Sequence, residues 1–278
     1  MTSKPNVLNL TLILLVLLVY LFVTAPPELD ANKADKIVES QDGLSLVNKL
    51  NGVARKLYTN RIVKKGKNAG LKFAESWKQE GVDAFPLPAQ FLRLTSRALE
   101  SSVVPLGLYL GSDYPINSAN KFKGLQSEKY EKLKLTRQPQ YFYEQDTERF
   151  YFMAEDVAMS SACVSCHNKH KDSPKTDWVL NDIMGATTWS YPDKQLSYPQ
   201  LIAMTVAYYR SVESAYSTFL EKIAQFKGRK PLVTEQWPVE NFVVPDLATF
   251  MTEYKKQAGE VVLNELVNLE SKTKRKML

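Results

Sequence analysis

Apolar residues recur at threes and fours from Asp30 to about Gly66, at Ile37, Leu44, Val47, Leu50, Val53, Ala54, Leu57 and Ile62. That period puts one stripe on one face of a helix, so a long amphipathic helix is expected there. Phe85-Pro86-Leu87-Pro88 breaks the pattern, and Ala89 to Glu100 resumes it as another helix. Gly107 to Asn117 reads as a short strand and turn, and Asn120 to Leu135, rich in lysine and glutamate, as a surface helix. Tyr141-Phe142-Tyr143 and Phe150-Tyr151-Phe152-Met153 flank the polar stretch Glu144 to Arg149, which predicts two aromatic strands joined by a turn. Asp182 to Tyr191 predicts one more strand, ended by Pro192. Helices around a few antiparallel strands make the expected class α+β.

Beyond Pro192 the pattern is helical again. Tyr209, Val212, Tyr216, Phe219, Ile223 and Phe226 step by 3, 4, 3, 4 and 3 along one seam that Gly228 closes. A connector marked by Pro231, Pro238 and Pro245 leads to a second stripe at Leu247, Met251, Tyr254, Ala258, Val261 and Leu269. Residues 194–278 are therefore expected as a two-helix extension, packed on the core or as a hairpin. A docking or homodimer surface is the sharper alternative. Nothing there resembles a kinase, cyclase or chemoreceptor signalling module.

The first residues follow a different rule. Val7 to Ala25 is a nearly unbroken apolar run of 19 residues, interrupted only by Asn9, Thr11 and Thr24. At about 1.5 Å per residue that length can cross a bilayer. It exceeds the apolar core of a cleaved signal peptide, about 7–15 residues, so residues 1–27 are expected to be an uncleaved anchor. Lys4 precedes the run, and Glu28 and Asp30 follow it. This places the amino terminus in the cytoplasm and the bulk of the chain in the periplasm, as a single-pass inner-membrane protein. The net charge of +6 is mild and partly sits in Lys272-Thr273-Lys274-Arg275-Lys276. No basic patch interleaved with aromatics suggests nucleic acid.

The chemistry is concentrated in one place. The chain has two cysteines and two histidines, and three of the four lie in Cys163-Val164-Ser165-Cys166-His167. C-x-x-C-H is the attachment signature of c-type haem: two thiols add across the two vinyl groups, and the histidine becomes the proximal iron ligand. A zinc site would separate its ligand pairs more widely than Cys163, Cys166, His167 and His170 are separated. A redox dithiol is the other alternative, against which stand the adjoining histidine and the absence of a preceding strand-and-helix unit. Haem c is attached outside the cytoplasm, which agrees with the anchor.

The stretch Cys163-Val-Ser-Cys-His-Asn-Lys-His, then Asp172-Ser-Pro-Lys-Thr-Asp-Trp178, then Asp182 and Gly185, resembles periplasmic haem c-binding sensor domains with a PAS-like fold. Met159, Phe85-Pro-Leu-Pro-Ala and Phe91-Leu-Arg are similar to the family's pattern as well. Such domains serve as input modules of histidine kinases, cyclases and chemoreceptors, and some stand alone as monohaem cytochromes. The resemblance covers residues 30–193. It implies a PAS-like antiparallel sheet with flanking helices, holding one covalent haem in a redox- or ligand-sensing role. The family usually has glycine where this chain has Asn181.

The sixth iron position is left open by the residues. His170 is on the same short segment as His167, and no third cysteine exists to give the cysteine–histidine ligation that the resemblance to the family's stand-alone cytochromes implies. Methionines 153, 159, 184, 204 and 251 are the remaining candidates, with Met159 favoured for its nearness. Residues 2–152 contain no methionine, cysteine or histidine, so the amino-terminal helix offers only weak ligands such as Lys56 or Tyr58. Asn168, Lys169, Lys171 and Trp178 are candidates to frame the haem edge or its propionates. Without a distal base, haem enzyme chemistry is not expected. The chain carries no effector of its own, so the expected function is a haem sensor acting through a protein partner. The alternative is a membrane-tethered electron carrier.

Overall fold

The computed structural model describes residues 36–237 and 241–276, together with Leu14, Leu15 and Leu17. Apart from those three leucines, the expected anchor lies outside the described residues. Among the described residues no helix is long and apolar enough to cross a membrane.

The chain first forms a short strand, β1 (Ile37–Glu39), and then helix α1 (Ser40–Leu57). The helix does not stop at Leu57. It widens into a π-helical segment at Tyr58–Lys64 and tightens again as α2 (Lys65–Asn68). The expected helix is therefore present, but it begins later than Ile37. That residue is 60% exposed and pairs with Ser197 across an antiparallel ribbon with β6 (Gln195–Ser197). The apolar side chain that looked like the first rung of a helical stripe is a rung of a two-stranded ladder.

After Pro86 comes α3 (Pro88–Glu100), whose first turn is held by the Leu87 amide donating to Gln90 Oε1 at 3.0 Å. A four-stranded antiparallel sheet follows, built from β2 (Gly107–Gly111), β3 (Gln140–Glu144), β4 (Arg149–Val157) and β5 (Ile183–Tyr191). Its order is β2-β5-β4-β3. Helix α4 (Gly124–Thr136) comes between β2 and β3, and α5 (Ser161–Lys169) between β4 and β5.

Alternation on the strands sorts side chains to two faces. Phe152, Ala154, Trp189 and Tyr191 join the larger core, against α1. Tyr151, Met153, Phe142 and Ala186 face the other way, under Phe122, Tyr130 and Leu133. Coverage on both sides is why these strands are so aromatic. Helix α4 is thus more than a surface helix, because Tyr130 and Leu133 seal the second core.

Helices α6 (Tyr198–Ala224) and α7 (Leu247–Lys276) complete the larger core. Tyr58 of the π-helical segment stacks on Phe91 of α3 at 4.1 Å, and Phe85 stacks on Phe219 of α6 at 4.3 Å. Tyr216 of α6 lies flat on Phe250 of α7 at 3.8 Å. Short strands β7 (Leu232–Thr234) and β8 (Val243–Pro245) pair in parallel in the connector. The described residues from Ile37 onward pack as one unit, so the helices beyond residue 194 share the core that backs the sheet.

Candidate functional site

The C-x-x-C-H segment is carried on an excursion from the middle of the sheet. It leaves after β4, where the ladder shifts register between Asp156 and Val157, and it returns in β5. Its base is pinned by two backbone bonds: Ala158 N to Asp182 O at 2.9 Å and Asn181 N to Ala158 O at 3.1 Å. Asn181 has φ of 69°, in the left-handed region where glycine is easiest and asparagine the next most tolerant. The glycine of the resembling pattern and the asparagine here meet the same backbone demand.

Ser160 starts α5 as its N-cap, its hydroxyl accepting from the Cys163 amide at 3.4 Å. The same hydroxyl lies 3.2 Å from the Cys163 sulfur. On a helix, residues 163, 166, 167 and 170 fall on one face. Cys163 is half-buried, Cys166 is exposed, and both thiols are free. Burial raises the Cys166 thiol, with Glu75 adding to the shift and Lys67 opposing it. His167 makes no hydrogen bond, and its Nδ1 is fully enclosed without a partner. Burial lowers its pKa against the pull of Asp156, favouring the neutral ring that binds metal.

The wall opposite this face comes from α1 and its π-helical continuation. Arg55 Nη2 donates to Asp156 Oδ1 at 2.6 Å, tying α1 to the end of β4. Burial works against the Arg55 charge, and Asp156 more than offsets it, with smaller support from Tyr208 and Cys163. Arg55 thus interacts electrostatically with Cys163, as Lys67 does with Cys166. Helical spacing places Thr59 and Val63 between them on the same side. Tyr58 points the other way: it is buried and donates to Pro86 O at 2.7 Å. Lys56 is exposed.

His170 is occupied. Its Nδ1 accepts from the Asp172 amide at 3.2 Å, leaving Nε2 to donate to Glu75 Oε2 at 3.1 Å. Asn168 uses both ends of its amide on one residue: Nδ2 donates to Trp178 O and Oδ1 accepts from Trp178 N, each at 2.9 Å. Trp178 is buried and its Nε1 has no partner. Lys169 and Lys171 are exposed.

The methionines separate by burial. Met153, Met204 and Met251 are core residues, and Met184 is half-buried on β5. Met159 is 54% exposed, on the short link between β4 and α5. An open cleft of ≈ 630 Å³ lies beyond Lys67, lined by Leu71, Lys72, Phe73, Ala74 and Gly81 to Ala84. It shares Lys67 with the surroundings of the thiols but contains none of Cys163, Cys166 and His167. Among the described residues, no group of three or more His, Cys, Asp and Glu side chains is placed to hold a metal ion.

Arg55, Asp156, Glu75, Lys67 and Ser160 had no signal of their own in the sequence. Arg55 was hidden in an amphipathic stripe, and the others are ordinary surface residue types. The thiols and the histidine were legible because their chemistry is local.

A family model described as Tll0287-like matches residues 39–192, more than half of the chain. That family is a haem-binding sensor-type domain. No curated protein and no solved structure matches the chain.

Proposed function

We propose that this chain, which belongs to the Tll0287-like family, is a membrane-anchored periplasmic protein that carries one haem c and senses redox state or a small ligand through a protein partner. In this reading Cys163 and Cys166 form the thioethers and His167 Nε2 is the proximal iron ligand. When bound, the haem supplies an iron that changes oxidation state or takes up a small ligand. Residues 30–193 supply the PAS-like sensor body, and residues 1–27 the anchor.

The observation that carries the reading is the shared face of α5. Two free thiols and an unbonded imidazole lie within little more than one turn, and the ring's enclosed nitrogen is Nδ1. Trp178, whose backbone is bonded to Asn168 of the same helix, also has a buried Nε1 without a partner.

Sensing is favoured over electron transfer by the opposite wall. Arg55, Thr59, Val63 and Lys67 include no strong iron ligand, and three of the methionines are locked in the cores. Met159 would have to round the ring from the same short link that carries the thiols. Arg55 also ties α1 to the end of β4, from which the segment with the thiols departs.

The test is a visible spectrum of protein matured in cells competent for cytochrome c assembly, ferric and dithionite-reduced, with and without carbon monoxide. A high-spin spectrum that shifts with carbon monoxide is the result expected for a ligand sensor. A low-spin reduced spectrum with a sharp α-band and no response moves the assignment to redox sensing or electron transfer. Absence of covalent haem overturns the reading.

A further inference from the structure

We infer that the Trp178 indole N–H is the hydrogen-bond donor to a haem propionate, and that the Asn168 clamp is what holds it in place to do so. The inference rests on the haem c reading and adds a cofactor-positioning residue that the attachment motif does not contain.

Three observations lead to it. Trp178 is only 5% exposed, yet its Nε1 is enclosed without a partner. Buried indoles nearly always find an acceptor. The nearest polar side chain bonded to this residue, Asn168, cannot serve, since its Oδ1 and Nδ2 are both committed to the Trp178 backbone. Asn168 follows His167 directly, so the clamp fixes the Trp178 backbone to the turn of helix that carries the proposed proximal ligand.

The missing partner must be an acceptor, because an indole only donates. A carboxylate fits the surroundings. Lys175 Nζ lies 4.8 Å from the centre of the Trp178 ring, adding positive charge over the indole, although it is also paired with Asp177. Tyr114 meets the ring at 6.2 Å in an edge arrangement and supplies packing without an acceptor for Nε1. The haem that the thiols of the same helix would fasten carries two carboxylates. A single enclosed water is the competing partner.

Haem-loaded full-length protein with ¹⁵N-labelled tryptophan tests this. The chain has four tryptophans and so four indole N–H signals. Trp189, whose Nε1 donates to Asn48 Oδ1 at 3.0 Å, is an internal reference for a bonded indole. Trp178→Phe identifies the signal of interest; if that variant does not fold, Trp77→Phe and Trp237→Phe assign two of the others, and Asn48→Ala, which removes the Trp189 acceptor, moves the Trp189 signal and leaves that of Trp178. Haem-loaded protein is compared with Cys163→Ser/Cys166→Ser protein, which cannot form thioethers. The expected result is a downfield shift of the Trp178 signal on haem attachment, with at least tenfold slower solvent exchange, while Trp189 stays put. Resonance Raman should show the propionate bending band displaced in Trp178→Phe with haem still attached. An indole signal that is the same with and without haem, or a propionate band that does not move, overturns the inference. Either failure in protein that carries covalent haem leaves the haem c reading standing, whereas wild type without covalent haem removes its premise.

Discussion

At the scale of single residues, the glycines show which positions are set by packing and which by conformation. Gly185 on β5 belongs to the stretch that resembles haem c sensor domains, and its place explains the residue. A Cβ there would sit inside contact distance of the Gly111 carbonyl oxygen on the neighbouring strand and close to the Ser112 side chain. Backbone cannot swing aside as a side chain can. Gly185→Ala should destabilise the fold by about 1–3 kcal/mol, as other overpacked sites do. Gly52, exposed in α1, has nothing within 4 Å of its added Cβ. Gly52→Ala should stabilise by roughly 0.5–1 kcal/mol, through helix propensity. Urea unfolding of the two variants checks the pair; equal midpoints would mean that the strand contact at Gly185 is looser than described. The same contrast explains what the sequence disclosed of the site. Cys163, Cys166 and His167 declare themselves by spacing, whereas Arg55 and Glu75 reach the site from far along the chain and leave no local trace.

At the scale of elements, the connectors depend on carboxylates accepting backbone hydrogen bonds. Asp83 accepts from the Lys227 amide at 2.9 Å and the Gly228 amide at 2.7 Å, fastening the end of α6 to the loop before α3. Asp246 caps α7, accepting from the Thr249 amide at 2.8 Å. The Lys227 and Gly228 bonds lower the Asp83 pKa, and the Thr249 bonds lower that of Asp246. A carboxylate lowered in the folded state stabilises fully above its unfolded value, and the contribution disappears as pH falls through the folded value. The wild-type urea midpoint should therefore fall as acid takes the pH below about 4. Asp83→Asn/Asp246→Asn protein should start lower at neutral pH and lose less over that range. Parallel pH profiles would rule out this role. Elements set by local pattern were legible in the same way as the haem motif: the aromatic hairpin, the strand before Pro192 and both late helices follow their periods. Strand β1 was not, because three residues gain their structure from β6, far away in sequence. The π-helical segment had a faint signature, the single five-residue step from Leu57 to Ile62 in a series of threes and fours. Such a step is the spacing of a wider helical turn.

At the scale of the whole molecule, the question is whether the late helices are an appendage or part of one body with the sheet. Composition changes after Pro192, which suggests a boundary, but the aromatic packing runs across it. Phe250 of α7 lies on Tyr216 of α6 and reaches Phe91 of α3, which in turn stacks on Tyr58 beside the wall that faces the thiols. These side chains belong to one core, together with Trp189 of the sheet. Phe250→Ala should cost about 3–5 kcal/mol, the usual range for emptying a buried phenylalanine site. In haem-loaded protein the far-ultraviolet signal, dominated by helices, and the Soret band, a probe of the site, should then shift to lower urea together. A separate extension would behave otherwise: the helical signal would gain an early phase while the Soret transition stayed where it was. Coincident transitions in wild type, displaced equally in the variant, are the signature of a single cooperative unit.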